Sequence, residues 1–411
     1  MRRQTLSAPL CLLALLACDD PTAQREAPDE TSEVRPISKG DDPSATAFEG
    51  PRPDFDPALG VRSHILLREL APDFVDSLRE VLGRDSFELM VGNQGPSLGY
   101  SGRENLVWAR DYLPLHLGRG ANERVLAYLS VDPVRSAWTG ASWVPAQAPS
   151  PDHQFYKSAS GSGGRWLETT TMPLLFEGGN LVSTGAFVIT TDRLITLNTT
   201  RSEGTDARHL RDAGWQLRDE AEVLELFTSY TRIPSERLIV IPSMPGEKTD
   251  HADLVVMALG PTEVMVPELR TDILDIITYG HEIELGQVVK DYLDEVADQL
   301  TERGLTVHRL PMLPPVFLEA DTREPTGWNA VFYSPANALA LDRGDDDRHL
   351  WLPAFTPTGF PDDYRAVADA YLAEQVAFFT SRDFEVHVVD ATRLGRAYGL
   401  FRCVTSPAFV E

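Results

Sequence analysis

Cysteine is scarce in this chain and unevenly placed. Only three occur: Cys11 and Cys18 near the start, and Cys403 near the end. Lysine is nearly absent, with Lys39, Lys157, Lys248 and Lys290 the only ones, and the formal net charge is -25. Such a surface repels nucleic acid and anionic lipid headgroups, so neither is expected as a partner. It attracts cations, although solubility alone explains the same charge. No apolar run after the first twenty residues reaches the length that spans a bilayer.

The opening MRRQTLSAPLCLLALLACDD has the layout of an export signal. Arg2 and Arg3 give a positive start, and Leu6 to Ala17 form an apolar segment too short to cross a membrane. Leu15-Leu16-Ala17-Cys18 resembles the lipobox of bacterial lipoproteins, which implies that Cys18 carries lipid and begins the mature chain. The expected location is then the bacterial cell envelope, exported, with lipid as the only hold on the membrane. Residues 19–58 are rich in Asp, Glu, Pro, Ser and Thr and cannot build a core, so they read as a tether. Residues 59–411 read as one domain. Cys11 leaves with the signal, so Cys403 has no disulfide partner in the mature body. A reactive thiol and an inert, buried one are both open at this point.

From residue 174 one pattern recurs three times: a hairpin, helical sequence, then a short apolar strand. The first hairpin is NLVSTGAFVITTDRLITLN, turning at 191–193, with helical runs over 206–213 and 219–230 before RLIVIPS. The second is ADLVVMALGPTEVMVPE, turning at Gly260-Pro261, with a helix over about 283–303 and the strand LTVHRL. Val288, Val289, Tyr292, Leu293, Val296 and Leu300 mark the buried face of that helix, and Gly304 its stop. The third is AVFYSPANALALDR with LWLPAF, a helix over 362–379 and FEVHVV. SHILLREL, a helix over 72–81 and FELMV suit the closing half of another unit. NLVWARDYLPLHL with ERVLAYLSV suits a further hairpin. Four or five α/β units of one kind imply stacking or closure around an axis. Residues 132–172, with SASGSGG in the middle, read as a loop or insertion outside the pattern.

Chemistry-bearing residues cluster at strand edges. Arg110-Asp111 follows an apolar run and reads as a turn or surface ion pair; Trp108 beside it reads as core. In Glu177-Gly178-Gly179-Asn180 the glycines allow close approach of a ligand or simply a tight turn. His251-Ala252-Asp253 on a strand puts imidazole and carboxylate on one face. With Cys403 these supply a thiol, an imidazole and three carboxylates. Three carboxylates with no paired cation call for a cationic ligand. No second histidine stands at metal-ligand spacing, so no metal or other cofactor is expected there.

The combination W-A-R-D, E-G-G-N, H-A-D and a C-terminal cysteine, in this order, resembles the guanidino-group modifying enzymes. These include the agmatine deiminase, bacterial peptidylarginine deiminase and arginine deiminase relatives, and the agmatine deiminase branch looks nearest. The resemblance covers about residue 60 to the end. It implies the pentein fold, an α/β-propeller of five ββαβ-type units around a pseudo-fivefold axis. It implies Cys403 as nucleophile, His251 as general acid/base and Glu177 beside it. Asp111 and Asp253 would grip a guanidinium, with Trp108, Gly178, Gly179 and Asn180 lining the substrate. The implied substrate is a small cationic guanidine or an arginine peptide, hydrolysed to a ureido group and ammonia. An amidinotransferase, or an inactive guanidine-binding surface lipoprotein, is the alternative. Leu400 and Phe401 stand where such enzymes often carry glycine and are expected to reshape the pocket.

Overall fold

The computed structural model describes residues 51, 59–64, 71–90, 109–112, 115–118, 124–129, 153–157, 164–199, 214–247, 249–276, 280–317, 330–342, 347–355, 362–395 and 399–409. All of these lie in one compact unit, residues 42–411. The expected signal segment, the lipobox with Cys18, Trp108 and the helical run over 206–213 lie outside the described residues, as does the expected tether except for Pro51. Pro51 is buried; it bridges Leu117 and accepts a hydrogen bond from Ser183 Oγ at 2.9 Å.

The chain begins with strand β1 (Leu59–His64), helix α1 (Pro72–Ser86) and β2 (Phe87–Met90). A helical turn, α2 (Ala109–Tyr112), leads into β3 (Leu115–Leu117), β4 (Arg124–Leu129), β5 (His153–Lys157) and β6 (Gly164–Leu175). Next come β7 (Val182–Ser183), β8 (Val188–Thr191), α3 (Arg193–Thr199), α4 (Glu220–Thr231) and β9 (Leu238–Ile241). They are followed by β10 (Met257–Gly260), β11 (Glu263–Glu268), α5 (Thr271–Leu274), α6 (Gly280–Glu302) and β12 (Thr306–Pro311). A small pair, β13 (Val316–Phe317) and β14 (Ala330–Val331), precedes β15 (Leu339–Asp342) and β16 (Arg348–Ala354). The chain closes with α7 (Asp362–Thr380), β17 (Glu385–Asp390), α8 (Thr392–Gly395) and β18 (Thr405–Phe409).

Five sheets share one plan: an antiparallel hairpin whose second strand takes a later strand parallel to it. The orders are β3-β4-β6, with β5 added at the edge, then β7-β8-β9, β10-β11-β12, β15-β16-β17 and β18-β1-β2. In the last, the hairpin partners come from opposite ends, Leu59 opposite Phe409 and Ser63 opposite Thr405. A short turn precedes the first strand of each sheet: α2, the 3-10 turns Gly178–Asn180, Ala252–Leu254 and Pro335–Asn337, and residues 401–404. These turns pack against one another. The α2 turn meets Gly178–Asn180, which meets Ala252–Leu254, which meets Pro335–Asn337. Arg402 N–H donates to Asn337 O at 3.3 Å, and Arg110 N–H to Cys403 O at 3.2 Å.

The longer helices α1, α4, α6 and α7 form where the pattern predicts. In α4, Asp219 accepts from Glu222 N–H and the Glu222 carboxylate accepts in return, a reciprocal cap that satisfies two orphan amides. In α6, Val289, Leu293, Val296 and Leu300 are fully buried, whereas Val288 is 49% exposed. One residue is 100° of helix, enough to carry Val288 off the buried stripe. Gly304 ends this element with φ +87°, a conformation that penalises a Cβ. Among the described residues no helix is long and apolar enough to cross a membrane.

Three sequence expectations need correction. The hairpin turn of the second sheet lies at 184–187, not at 191–193, and RLITLN is the helix α3. Thr184 Oγ1 accepts from Phe187 N–H and closes the earlier turn, while Asp192 O accepts from the amides of Ile195 and Thr196 and starts the helix. ARDY is helical rather than part of a continuous strand. Residues 164–172, read as part of an insertion, run in β6, parallel to β4 in the shared plan. Consecutive Thr169, Thr170 and Thr171 favour extended chain despite the Gly/Ser-rich stretch before them.

Candidate active site

The five turns bring together the residues that the sequence singled out. Glu177 and His251 stand at the same place, each immediately before its 3-10 turn; Asp253 lies inside the second of these turns. Asp111 comes from α2, and Cys403 from the turn before β18. Asp111, Glu177, His251, Asp253 and Cys403 are all buried, with at most 4% exposure. His251 and Asp253 meet through the turn rather than by alternation along a strand, because Ala252 O accepts from the amides of Val255 and Val256 and coils the chain.

His251 is the hub. Its Nε2 lies 3.1 Å from Glu177 Oε2, and its Nδ1 lies 3.9 Å from Asp111 Oδ1. Cys403 Sγ is 3.9 Å from both oxygens of Asp253. Asn337 Nδ2 donates to the sulfur at 3.3 Å and to Asp253 O at 3.3 Å. Asn337 Oδ1 accepts from the amides of Arg402 at 2.9 Å and Cys403 at 3.3 Å.

The glycines are needed for close approach. A Cβ on Gly179 would lie 2.4 Å from His251 Nδ1 and 3.1 Å from Asp111 Oδ1, and one on Gly178 would lie 2.1 Å from Arg110 O. Gly179 N–H donates to Asp111 Oδ1 at 3.1 Å. Asn180 Oδ1 accepts from Thr191 N–H at 2.9 Å, and the Thr191 hydroxyl donates to Asp250 O at 2.7 Å. Asn180 therefore ties its own turn to the backbone before His251.

Two arginines change the charge balance inferred from sequence. Glu177 Oε2 accepts from Arg193 Nε at 2.8 Å, and Arg193 reaches Asp250 at 3.1 Å. Arg402 Nε lies 4.0 Å from Asp253 Oδ2. The carboxylates are thus partly compensated from within. Arg110 is buried rather than at the surface, its Nε donating to Arg402 O at 2.9 Å. Leu400 and Phe401 are fully buried in the main core, and Phe401 stacks on Phe74 of α1 at 4.1 Å. Arg402, not these two, is the neighbour of Cys403 that reaches toward the carboxylates.

The electrostatics follow from burial. Burial raises the Asp111 carboxyl to about 7, opposed by His251 and helped by Glu177 and Asp253. Burial opposes charge on His251, but Asp111, the Cys403 thiol and Glu177 outweigh it and hold the ring protonated well above its usual range. Burial and then Asp253 push the Cys403 thiol up to about 11, against the pull of His251. Burial disfavours the Glu177 carboxylate, yet Arg193 and His251 hold it below its usual range. Both directions favour a neutral thiol beside an imidazolium.

Solved structures with this architecture include a Porphyromonas gingivalis protein provisionally named an arginine deiminase (TM-score 0.53, 16% identity, 87% of this chain and 97% of that one). Agmatine deiminases of Enterococcus faecalis (0.51, 15%, 90% and 98%) and C. jejuni (0.51, 10%, 88% and 96%) are similar too. The chain has the pentein fold. The chain spans nearly the whole length of those structures. No family model and no curated protein matches the sequence.

Sequence reasoning missed Asn337, Arg193 and Arg402. For Asn337 a signal existed: Ser-Pro-Ala-Asn337 stands in the third repeat where Glu-Gly-Gly-Asn180 stands in the first. The arginines carried none, since their partners are distant in the chain.

Proposed function

We propose that the protein is a deiminase that hydrolyses the guanidinium of agmatine, arginine or a peptidyl arginine to a ureido group, releasing ammonia. The observation that carries this reading is the convergence of Cys403, His251, Asp111, Glu177 and Asp253 from four separate turns in one buried place. The deiminase structures of the same fold agree with it. In this reading the five units close around one axis, and the five turns ring its active-site end.

A guanidinium stays protonated at ordinary pH and suits planar, forked contact with carboxylates. Asp111 and Asp253 hold it, and its positive charge offsets the two carboxylates that keep the thiol protonated. The thiol proton passes to solvent as the cation binds, and the Cys403 thiolate adds to the guanidinium carbon while the C=N electron pair moves onto nitrogen. The imidazolium of His251, oriented by Glu177, gives its proton to the leaving nitrogen, and ammonia departs as the C–N bond breaks. His251 next takes a proton from water, whose oxygen adds to the thiouronium carbon. Collapse breaks the C–S bond, restores Cys403 and leaves the ureido product. Glu177, held by Arg193, keeps the ring in place through both steps.

We also place the chain in the bacterial cell envelope, lipid-anchored through Cys18, on the strength of Leu15-Leu16-Ala17-Cys18. Mass analysis of the N-terminal peptide is expected to show acyl chains, and Cys18→Ala to release the protein from membranes. The decisive assay is ureido-product formation from agmatine, arginine and an arginine peptide by the full chain. Product from at least one, abolished in Cys403→Ala, is expected. No product from any of them, or equal product from the variant, refutes the reading.

A further inference from the structure

The fourth sheet carries a second cluster of titratable side chains, outside the five turns. Strands β16 and β17 run parallel, with His349 opposite Glu385 and Trp351 opposite His387. Alternation puts all four side chains on one face. That face looks toward α1: Trp351 Nε1 donates to Ser77 Oγ at 2.8 Å, and the His387 ring stacks on Trp351 with centroids 5.0 Å apart.

His349 Nδ1 lies 3.1 Å from His387 Nε2. Glu385 Oε2 lies 3.5 Å from the first nitrogen, and Glu385 Oε1 lies 3.9 Å from the second. One ligand atom from each of the three falls within 4.8 Å of the others. The remaining nitrogen of His349, Nε2, lies 2.7 Å from Asp347 Oδ1. A carboxylate there keeps the proton on Nε2, so the Nδ1 lone pair faces His387 and Glu385. This is the usual outer support of a metal-binding histidine.

Two imidazole nitrogens 3.1 Å apart share at most one proton. A metal ion fits in place of that proton. Tetrahedral ligation at about 2.0–2.1 Å separates two nitrogens by about 3.4 Å, a few tenths more than the spacing seen. We propose that His349, His387 and Glu385 form a binding site for a divalent transition metal of the zinc class, with Asp347 positioning His349. Two nitrogen donors disfavour magnesium and calcium, which seek oxygen. Glu385 is 69% exposed, which leaves water access to the fourth position. The third sheet gives a contrast. His308 occupies the place of His387 on β12, but there the Arg382 guanidinium supplies the cation, 2.8 Å from His308 Nε2 and 2.7 Å from Glu263.

The test uses the full chain carrying Cys403→Ala, which removes the one described thiol from competition. Titration with zinc alone, followed by calorimetry and metal analysis, is expected to show one saturable site per chain. X-ray absorption of the zinc form is expected to show scattering from two imidazoles. Adding His387→Gln should weaken binding at least tenfold, and Asp347→Asn about 10- to 100-fold. No saturable zinc binding, equal affinity in the His349→Gln/His387→Gln double variant, or absorption without imidazole scattering overturns the proposal. The absorption measurement needs no substitution at the cluster, so a variant that fails to fold does not spare it.

Discussion

The turn Glu177-Gly178-Gly179-Asn180 and the turn Ser334-Pro335-Ala336-Asn337 occupy the same place in their sheets and end in the same residue. In the first, two glycines let the backbone press against His251 and Arg110, and Asn180 ties its own unit to the segment before His251. In the fourth-sheet turn no acid stands at the start; Ser334 Oγ donates to Leu254 O and accepts from Ala336 N–H. There the asparagine is turned outward to the neighbouring turn, where it meets the sulfur of Cys403 and two amides. One backbone design thus serves once to carry a carboxylate into the candidate site and once to brace the Cys403 thiol. What differs is which side chains the repeat has been given, not its shape.

The largest effect is expected from breaking that contrast at its closest approach. Gly179→Ala puts a methyl within 2.4 Å of His251 Nδ1. A displacement of this size costs about 100-fold in kcat. Its counterpart in the other turn, Ala336→Gly, is expected to change kcat less than about twofold, since no catalytic group is displaced. Steady-state assays of the two proteins decide it.

Next in size is the Asp111 carboxyl, which sits against the first turn through Gly179 N–H. Burial raises its folded pKa to about 7 from the ordinary 3.8. Between those values the folded protein keeps a proton that the unfolded chain releases, so this group's contribution to stability is present below the lower value and lost as pH rises through about 7. A cationic guanidine binds the ionised form. Its affinity for Cys403→Ala should therefore rise about tenfold per pH unit from pH 5 and level off above about 7. Calorimetry at several pH values that shows no rise would separate Asp111 from ligand binding.

The two asparagines sharpen the comparison. Asn337→Ala removes a donor to the sulfur and is expected to slow thiol alkylation by iodoacetamide and lower kcat by about tenfold, as losing a charge-assisted hydrogen bond does. Asn180→Ala should leave alkylation nearly unchanged and cost about 1–3 kcal/mol of stability, because the Thr191 amide is orphaned in the core. Smallest is Asp219→Ala in the α4 cap, about 1 kcal/mol by denaturant unfolding with activity intact.

The residues of the candidate site were easier to read in the sequence than the turns that assemble it. Cys403, His251, Asp111, Glu177 and Asp253 stand out as residue types, and all five converge. The hairpin, helix and strand order was visible from periodicity in three sheets. The turns were not. ADLVV and NLVWARDYLP are apolar enough to pass for strands, and only tertiary packing makes them coil. Asn337, Arg193 and Arg402 act on partners from 16 to 221 residues away, a relation that local pattern does not encode. The strand β6 was hidden by its glycine-rich neighbour.

The fifth sheet joins β1 to β18. During synthesis β1 emerges early, and β18 follows some tens of seconds later at about 5–20 residues per second. Until then one edge of β1 is unpaired, and Cys403, in the turn just before β18, is not yet made. The pairing therefore orders two events in time: the fifth sheet gains its outer strand only after the candidate site has received its thiol.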